Sequence, residues 1–351
     1  MNISYYCNWY VNRQRPHHIA KLFLENKCNV TIYTTKGFRK WKDPVFLEAL
    51  INNKWRVPSV LGERAILYNK KKYSEMATKS LLNQDELHIY GGEPIDNRYE
   101  YNGYLIYDCM DDWSAFPNAD PNVNEYEKAL CEKADEVWVV SKKLLEKIQN
   151  YKNKGKVKLL PNGVDCDHFN KALKIRETIR ENKRRPVLGY VGLITSWFDT
   201  ELIRDVADIL DDWDIHIIGP THDLSKKQRQ EMQHKRIKIL GYVTYDELPK
   251  HLACFDVAMI PFLDNDLIKA TNPIKLYEYL AAGVPTVSTV LPEILPIVAR
   301  GVLDCKDTAE EFAESVRNMY REINVGKCLK VAEFFSWGNI FKEELRKYAC
   351  N

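Results

Sequence analysis

Lys275 and Glu278 are the pair whose types and spacing could do chemistry together. They lie in NPIKLYEYLAAGVPTV, residues 272–287, which reads as a short helix between two loops, followed by a buried strand. Asn272 suits an N-cap and Pro273 the first helical position. Gly283 supplies a left-handed stop, and Pro285 prevents continuation. Lys275 then falls at the third helical position, where the helix dipole favours an acid. A cation there is explained if an anion sits at that helix end. Glu278 shares the face of Lys275 and lies roughly 8 Å along the axis from the helix start, at ~1.5 Å per residue. Phosphates at the helix end with a sugar ring further along fit that offset, and a nucleoside diphosphate has this shape. The other account is a solvated (i, i+3) pair, worth about 0.2–0.5 kcal/mol. On this helix alone both accounts stand.

The elements that must position these residues alternate along the chain. Short apolar runs and amphipathic stretches follow one another, the pattern of an α/β protein. In the first half the pattern predicts strands at 3–7, 29–33, 104–107, 136–140 and 157–160, and helices at 17–25, 122–133 and 142–149, the last capped by Ser141. Residues 37–92 give no clear pattern. A charged stretch, 171–185, precedes a second alternation. Its predicted strands are 187–191, 215–218, 237–240, 257–260 and 286–288, and its helices 200–210, 245–253, 273–282 and 308–321. Two successive parallel-sheet units imply two Rossmann-like domains facing a central cleft. The expected bounds are 1–165, 166–325 and a terminal segment, 326–351, helical over 331–348.

Composition sets further limits. The 351 residues suffice for two cores. Lys+Arg 51 against Asp+Glu 49 implies no polyanion partner, so no nucleic acid is expected. Met1 runs straight into an apparent strand, and no apolar run approaches the ~20 residues of a membrane span. A cytoplasmic protein is expected. Nine cysteines are scattered singly with no Cys-x-x-Cys, which predicts reduced thiols rather than disulfides or a zinc site.

Residues 273–287, PIKLYEYLAAGVPTV, resemble the donor-site motif of family 4 glycosyltransferases, which have the two-domain GT-B fold. LLPNGVDCDHF (159–169) resembles the lead into their second domain, and LGYVGLITSWFD (188–199) that domain's first strand and loop. The arrangement of YDCMDDWSAFP (107–117) and RQRPHH (13–18) is similar to a branch related to teichuronic acid glycosyltransferases. The resemblance implies a retaining transferase that uses a nucleotide-sugar, expected to be UDP-linked, as substrate and needs neither cofactor nor metal.

Several site residues follow from it. Glu278 would accept hydrogen bonds from the ribose hydroxyls, and Lys275 would meet the diphosphate at the helix N-terminus. The loop after 187–191 would flank the phosphates, with Gly192 allowing close backbone approach and Thr195 and Ser196 offering hydroxyls. Gly192 as a simple turn residue is the alternative. The backbone at Val243 would meet the nucleobase, or 241–244 is an ordinary strand-to-helix turn. Ile274 belongs to the same donor set. The chain departs from the family in three places: Leu193 stands where an Arg is usual, a later Lys is missing, and Ala270 replaces the first acid of Glu-x7-Glu. Thr271, Asn272 and Asp266 are nearby polar substitutes. Asp264-Asn265-Asp266 looks like a metal-binding Asp-x-Asp, or a polar loop, and the loop is preferred.

In the first half, Asp108 and Asp111 follow a predicted strand and are candidates to accept the acceptor hydroxyl's proton or stabilise oxocarbenium charge. Capping a turn is their other account, and the one preferred for Asp112. Arg13, Arg15 and His17 follow the first strand and are acceptor-site candidates, since an Arg fork binds phosphate or carboxylate. Basic clusters at 70–72 and 152–158 are solvated surface charge, or a peripheral contact with an anionic membrane carrying a lipid-linked acceptor. The expected activity is sugar transfer to a cell-surface polysaccharide or lipid-linked glycan. Its rivals are a nucleotide-sugar 2-epimerase of the same fold and a catalytically silent glycan- or nucleotide-binding subunit.

Overall fold

A computed structural model describes residues 1–9, 14–36, 55–56, 86–94, 103–153, 155–179, 185–221 and 224–348. The chain divides into two compact units, Met1–Pro161 with Ile340–Asn351, and Asn162–Asn339. The units meet at 161/162 and 339/340, against expected bounds of 165/166 and 325/326.

The first unit is built on a seven-stranded sheet: β1 (Asn2–Trp9), β2 (Asn29–Lys36), β3 (Trp55–Arg56), β4 (Glu86–Tyr90), β5 (Tyr104–Cys109), β6 (Glu136–Val139) and β7 (Lys156–Leu159). All pairings are parallel, in the order β3-β2-β1-β4-β5-β6-β7. Its central strands read as continuous apolar runs because helices cover both faces; Leu105, Ile106, Tyr107, Val137, Trp138 and Val139 are all buried. The sequence pattern missed β4, where His88 interrupts the run. That histidine is buried, its Nδ1 3.2 Å from the Tyr6 hydroxyl. Ser141 caps helix Lys142–Gln149 as predicted, accepting from the Leu144 amide at 3.2 Å.

The helix expected over 331–348 is broken into Val325–Phe334, Trp337–Ile340 and Lys342–Tyr348. Between the first two, Val164 donates to the Phe335 carbonyl at 2.9 Å and its own carbonyl accepts from Trp337 at 3.2 Å. This bridge takes those groups out of the helical ladder. Helix Lys342–Tyr348 then belongs to the first unit, where Lys158 joins Glu136 to Glu344, the latter at 2.7 Å. Burial alone would raise the Glu136 carboxyl, but Lys158, Tyr348 and Lys347 outweigh it and hold it low.

The second unit carries a six-stranded parallel sheet: β8 (Val187–Val191), β9 (Asp214–Ile218), β10 (Ile237–Gly241), β11 (Val257–Ile260), β12 (Thr286–Ser288) and β13 (Leu303–Cys305), ordered β10-β9-β8-β11-β12-β13. Each sheet reverses its strand order once, between β1 and β4 and between β8 and β11. Such a switch point opens a crevice beyond the carboxyl ends of the strands.

The donor-type helix begins one residue later than the sequence suggests. Pro273 occupies the cap position and the helix runs Ile274–Ala281, so Lys275 is its second residue and not its third. Asn272 does not cap it, because its side chain accepts from the Asn162 amide at 3.1 Å and donates to the Tyr277 hydroxyl at 3.1 Å. The stretch 245–253 also differs, with a 3-10 turn at Tyr245–Glu247 ahead of helix Leu248–Leu252.

The charged stretch after 170 contains helix Lys171–Ile179. Its Arg176 is buried and donates to the carbonyls of Leu252 and Gly283, both at 3.1 Å. One guanidinium thus serves carbonyls at the ends of two helices, sharing that of Leu252 with the Phe255 amide. Gly283 ends the donor-type helix at φ +71°, and a Cβ there would lie 2.8 Å from Val325 and 2.9 Å from Leu173. Left-handed strain and overpacking together predict that Gly283→Ala destabilises the chain by about 2–4 kcal/mol, read from its urea-unfolding midpoint.

Candidate functional site

The carboxyl edge of the second sheet is framed by three glycines, at the ends of β8, β9 and β10. The Gly192 amide donates to Ile218 at 2.9 Å, and the Gly219 amide to Gly241 at 2.8 Å. A Cβ on Gly219 would fall 1.8 Å from the Gly192 carbonyl oxygen, so only glycine permits this approach. Gly219 was missed in the sequence; its one signal is a Gly-Pro directly after an apolar strand. The turn from Gly192 to Asp199 is held on both sides. Ile194 donates to Pro220 at 3.0 Å, while Asp199 donates to Pro261 at 2.9 Å and Leu263 to Trp197 at 2.8 Å. Asp199 then caps helix Thr200–Ile209 through Leu202 at 2.9 Å. Thr195 is buried within the turn and Ser196 is exposed.

Helix Ile274–Ala281 is tied to the strand that leads into this turn. Lys275 and Glu278 form an ion pair at 3.2 Å, and Glu278 is only 5% exposed. The carboxylate of the pair is therefore desolvated while Lys275 stays half-buried, unlike the fully solvated pair considered for it. Tyr279 joins the helix to the end of β8: its hydroxyl accepts from the Val191 amide at 2.8 Å and donates to the Val191 carbonyl at 3.3 Å. Ile274 and Thr271 are half-buried, and the Thr271 hydroxyl donates to Leu267 at 2.9 Å. Val243 is half-buried beside Tyr242, which is 67% exposed. Ala270 is buried. In the Asp-x-Asp stretch, Asp264 pairs with Lys269 at 2.7 Å and Asn265 caps helix Asp266–Lys269.

In the first unit Asp108 lies within β5, one residue before its end and not after the strand as expected, and is fully buried. Its oxygens accept from the Tyr5 hydroxyl at 2.7 Å and from Arg15 Nε at 2.9 Å, with Arg15 Nη2 at 2.8 Å. Arg15 Nη1 donates to the Pro161 carbonyl at 3.0 Å. The Arg15 fork and the Asp108 carboxylate therefore serve each other. Burial, and then the Asp108 charge, push the Tyr5 phenol far up. His17 is buried, edge-on to His18 at 5.3 Å. Arg13 and residues 70–72 lie outside the described residues.

Asp111, just beyond β5, is half-buried; burial and the neighbouring Asp112 charge push its carboxyl up to about 7. Asp112 is held low despite its burial, by Lys147 at 2.8 Å and the Ser114 hydroxyl at 2.7 Å. Glu127 takes a second contact of Lys147, at 2.9 Å. The sequence also concealed Gly91 and Gly92, which follow β4 at the switch point. The Gly91 amide donates to Tyr6 at 2.7 Å, and a Cβ there would lie 2.6 Å from the Tyr5 hydroxyl.

Residues 185–322, which hold the candidate site of the second unit, match the family model described as glycosyl transferases group 1. Residues 185–322 are a group 1 glycosyltransferase domain. Among curated proteins, TuaH of Bacillus subtilis (strain 168), named as a teichuronic acid biosynthesis glycosyltransferase, is 28% identical over 202 residues. That match covers 54% of this chain and 51% of TuaH, so the likeness spans about half the length of the relative. Sucrose-phosphate synthase from Thermosynechococcus elongatus superposes with a TM-score of 0.72 at 14% identity, covering 99% of this chain and 98% of its own. HepE from Anabaena, in complex with UDP and glucose, gives 0.68 at 14% identity over 99% of both chains. At these identities the likeness is one of fold, and the glycosyltransferase domain with its partner unit has the GT-B architecture. No helix among the described residues is long and apolar enough to cross a membrane.

The raised Asp111 carboxyl gives a pH test. Its folded value, about 7, lies above the usual 3.8, so the folded state favours the protonated form. Stability from this group is present below about 3.8 and is lost as pH rises towards 7. Asp111→Asn should therefore stabilise the chain at pH 8, by on the order of 1 kcal/mol, with the gain vanishing towards pH 4. Melting curves of both proteins across that range check it; a gain independent of pH would contradict it.

Proposed function

We propose that the chain transfers a sugar from a UDP-linked donor to a cell-surface polysaccharide or lipid-linked glycan, with retention at the anomeric carbon. The observation that carries the reading is the buried Glu278 beside Lys275, on a helix tied to the Gly192 turn at the switch point. In this reading the diphosphate lies between the turn and the helix N-terminus, with Thr195 and Ser196 as flanking hydroxyls. Lys275 leaves Glu278 to meet the phosphates, and Glu278 takes the ribose hydroxyls. The backbone at Val243 borders the base, and Thr271 and Ile274 border the helix start. Asn272 supports that start through Tyr277. HepE, a protein of the same fold, is described bound to UDP and UDP-glucose. As the sugar leaves, the helix N-terminus and Lys275 stabilise the charge that develops on the diphosphate, and no metal is assigned to this step.

Asp111 is the group put forward to take the acceptor proton, since a general base works best with a value near the working pH. Asp108 is assigned to hold Arg15, and Arg15 and His17 to shape the acceptor side from within. A lipid-linked acceptor would bring the chain to the inner face of the membrane as a peripheral protein. A second reading, a binding subunit without turnover, draws on the buried Ala270 where the family carries an acid.

A thermal-shift series with UDP, GDP, ADP and their sugars tests the donor site, since a ligand of the folded state raises the melting temperature. UDP compounds are expected to raise it, and Glu278→Ala to weaken UDP binding by about 1.5–3 kcal/mol, the scale of hydrogen bonds to a charged group. No shift with any nucleotide would overturn the donor site. Binding without transfer to any glycan would favour the silent subunit, and turnover of the donor alone an epimerase.

A further inference from the structure

We propose that the Tyr279 hydroxyl is the positioning group of the donor site, standing in for an absent strand neighbour at the end of β8. The inference rests on the donor reading above. Alternate residues of a central parallel strand send their backbone groups to opposite neighbours. On the β9 side, Gly192 donates to Ile218. On the β11 side, the Val187 carbonyl accepts from Asp256. Val191, in step with Val187, also faces β11. Yet β11 pairs with β8 only at Leu188 and Gly189, because beyond them the two strands part at the switch point. The amide and carbonyl of Val191, a residue only 6% exposed, would then lack partners. Burying such groups unpaired destabilises the folded chain.

A phenol hydroxyl both donates and accepts, and the Tyr279 hydroxyl does both here, at 3.3 and 2.8 Å. Its ring is fully buried, so the hydroxyl acts through Val191 and not on a ligand. Val191 directly precedes Gly192, and Tyr279 directly follows Glu278. One side chain therefore sets the spacing between the phosphate turn and the helix bearing Lys275 and Glu278.

The test compares full-length wild type, Tyr279→Phe and, as control, Tyr107→Phe. Tyr107 is an equally buried phenol of the first unit, donating to Glu127 at 2.9 Å. Tyr279→Phe is expected to speed amide hydrogen exchange over residues 191–196 about tenfold and to weaken UDP about tenfold. Tyr107→Phe should lower the melting temperature and leave both readings unchanged. With Glu278→Ala, the Tyr279→Phe effect on UDP should be less than additive, as for coupled groups. Unchanged exchange and unchanged UDP affinity in Tyr279→Phe overturn the proposal. Wild type supplies a variant-free reading: the Val191 amide should be protected like that of a central strand without nucleotide, and fast exchange there overturns the proposal as well. Should wild type bind no UDP, the donor reading fails, while the exchange data still decide the tether.

Discussion

A parallel strand cannot satisfy its backbone alone; each amide and carbonyl needs a neighbour on one side or the other. In this chain that constraint creates both the crevice and its remedy. Where the order of the second sheet reverses, β8 and β11 diverge after two paired positions. The opening strands the backbone of Val191. The unmet groups are taken up by Tyr279, from the helix that also carries Lys275 and Glu278. Gly219 follows from the same crowding, since a Cβ there would meet the Gly192 carbonyl, whereas Gly192 faces the Tyr190 ring and Gly241 turns at φ +73° in open space.

The first sheet reverses between β1 and β4, and there the interior is polar. Tyr5, Arg15 and Asp108 form one buried cluster. A buried ion pair gains its mutual attraction against a large loss of hydration, so it contributes orientation more than net stability. Arg15 also reaches Pro161, the last residue before the second unit. The cluster thus fixes the start of helix Arg15–Glu25 and the end of the first unit together, which no apolar side chain could do.

Much of this was legible in the sequence. Strands 187–191, 257–260 and 286–288 appear where their apolar runs place them, because strands covered on both faces need little but hydrophobicity. The motif around Glu278 was readable because Gly283 and Pro285 punctuate it. What escaped was long-range. His88 broke the pattern of β4 and yet sits in the core opposite Tyr6. Asn272 has a capping residue's chemistry, but Asn162, 110 positions away in sequence, claims its side-chain oxygen. Arg176 lies in a stretch whose only sign in the sequence is its charge, and its burial is explained only by the carbonyls it serves. The tether made by Tyr279 has no local sign at all, since a tyrosine at that spacing reads as ordinary core.

The division of the chain into units has a consequence for how it is made. The second unit is one uninterrupted stretch, Asn162–Asn339, whereas the first needs both Met1–Pro161 and Ile340–Asn351. During synthesis the ribosome therefore delivers everything the second unit requires before it delivers the final helix of the first. Until then Glu136 and Lys158 lack Glu344 and Lys347, and Trp138 lacks the ring of Phe341. The part that emerges first is the part that must wait, with charged groups and an indole edge uncovered, while the later part can close on itself.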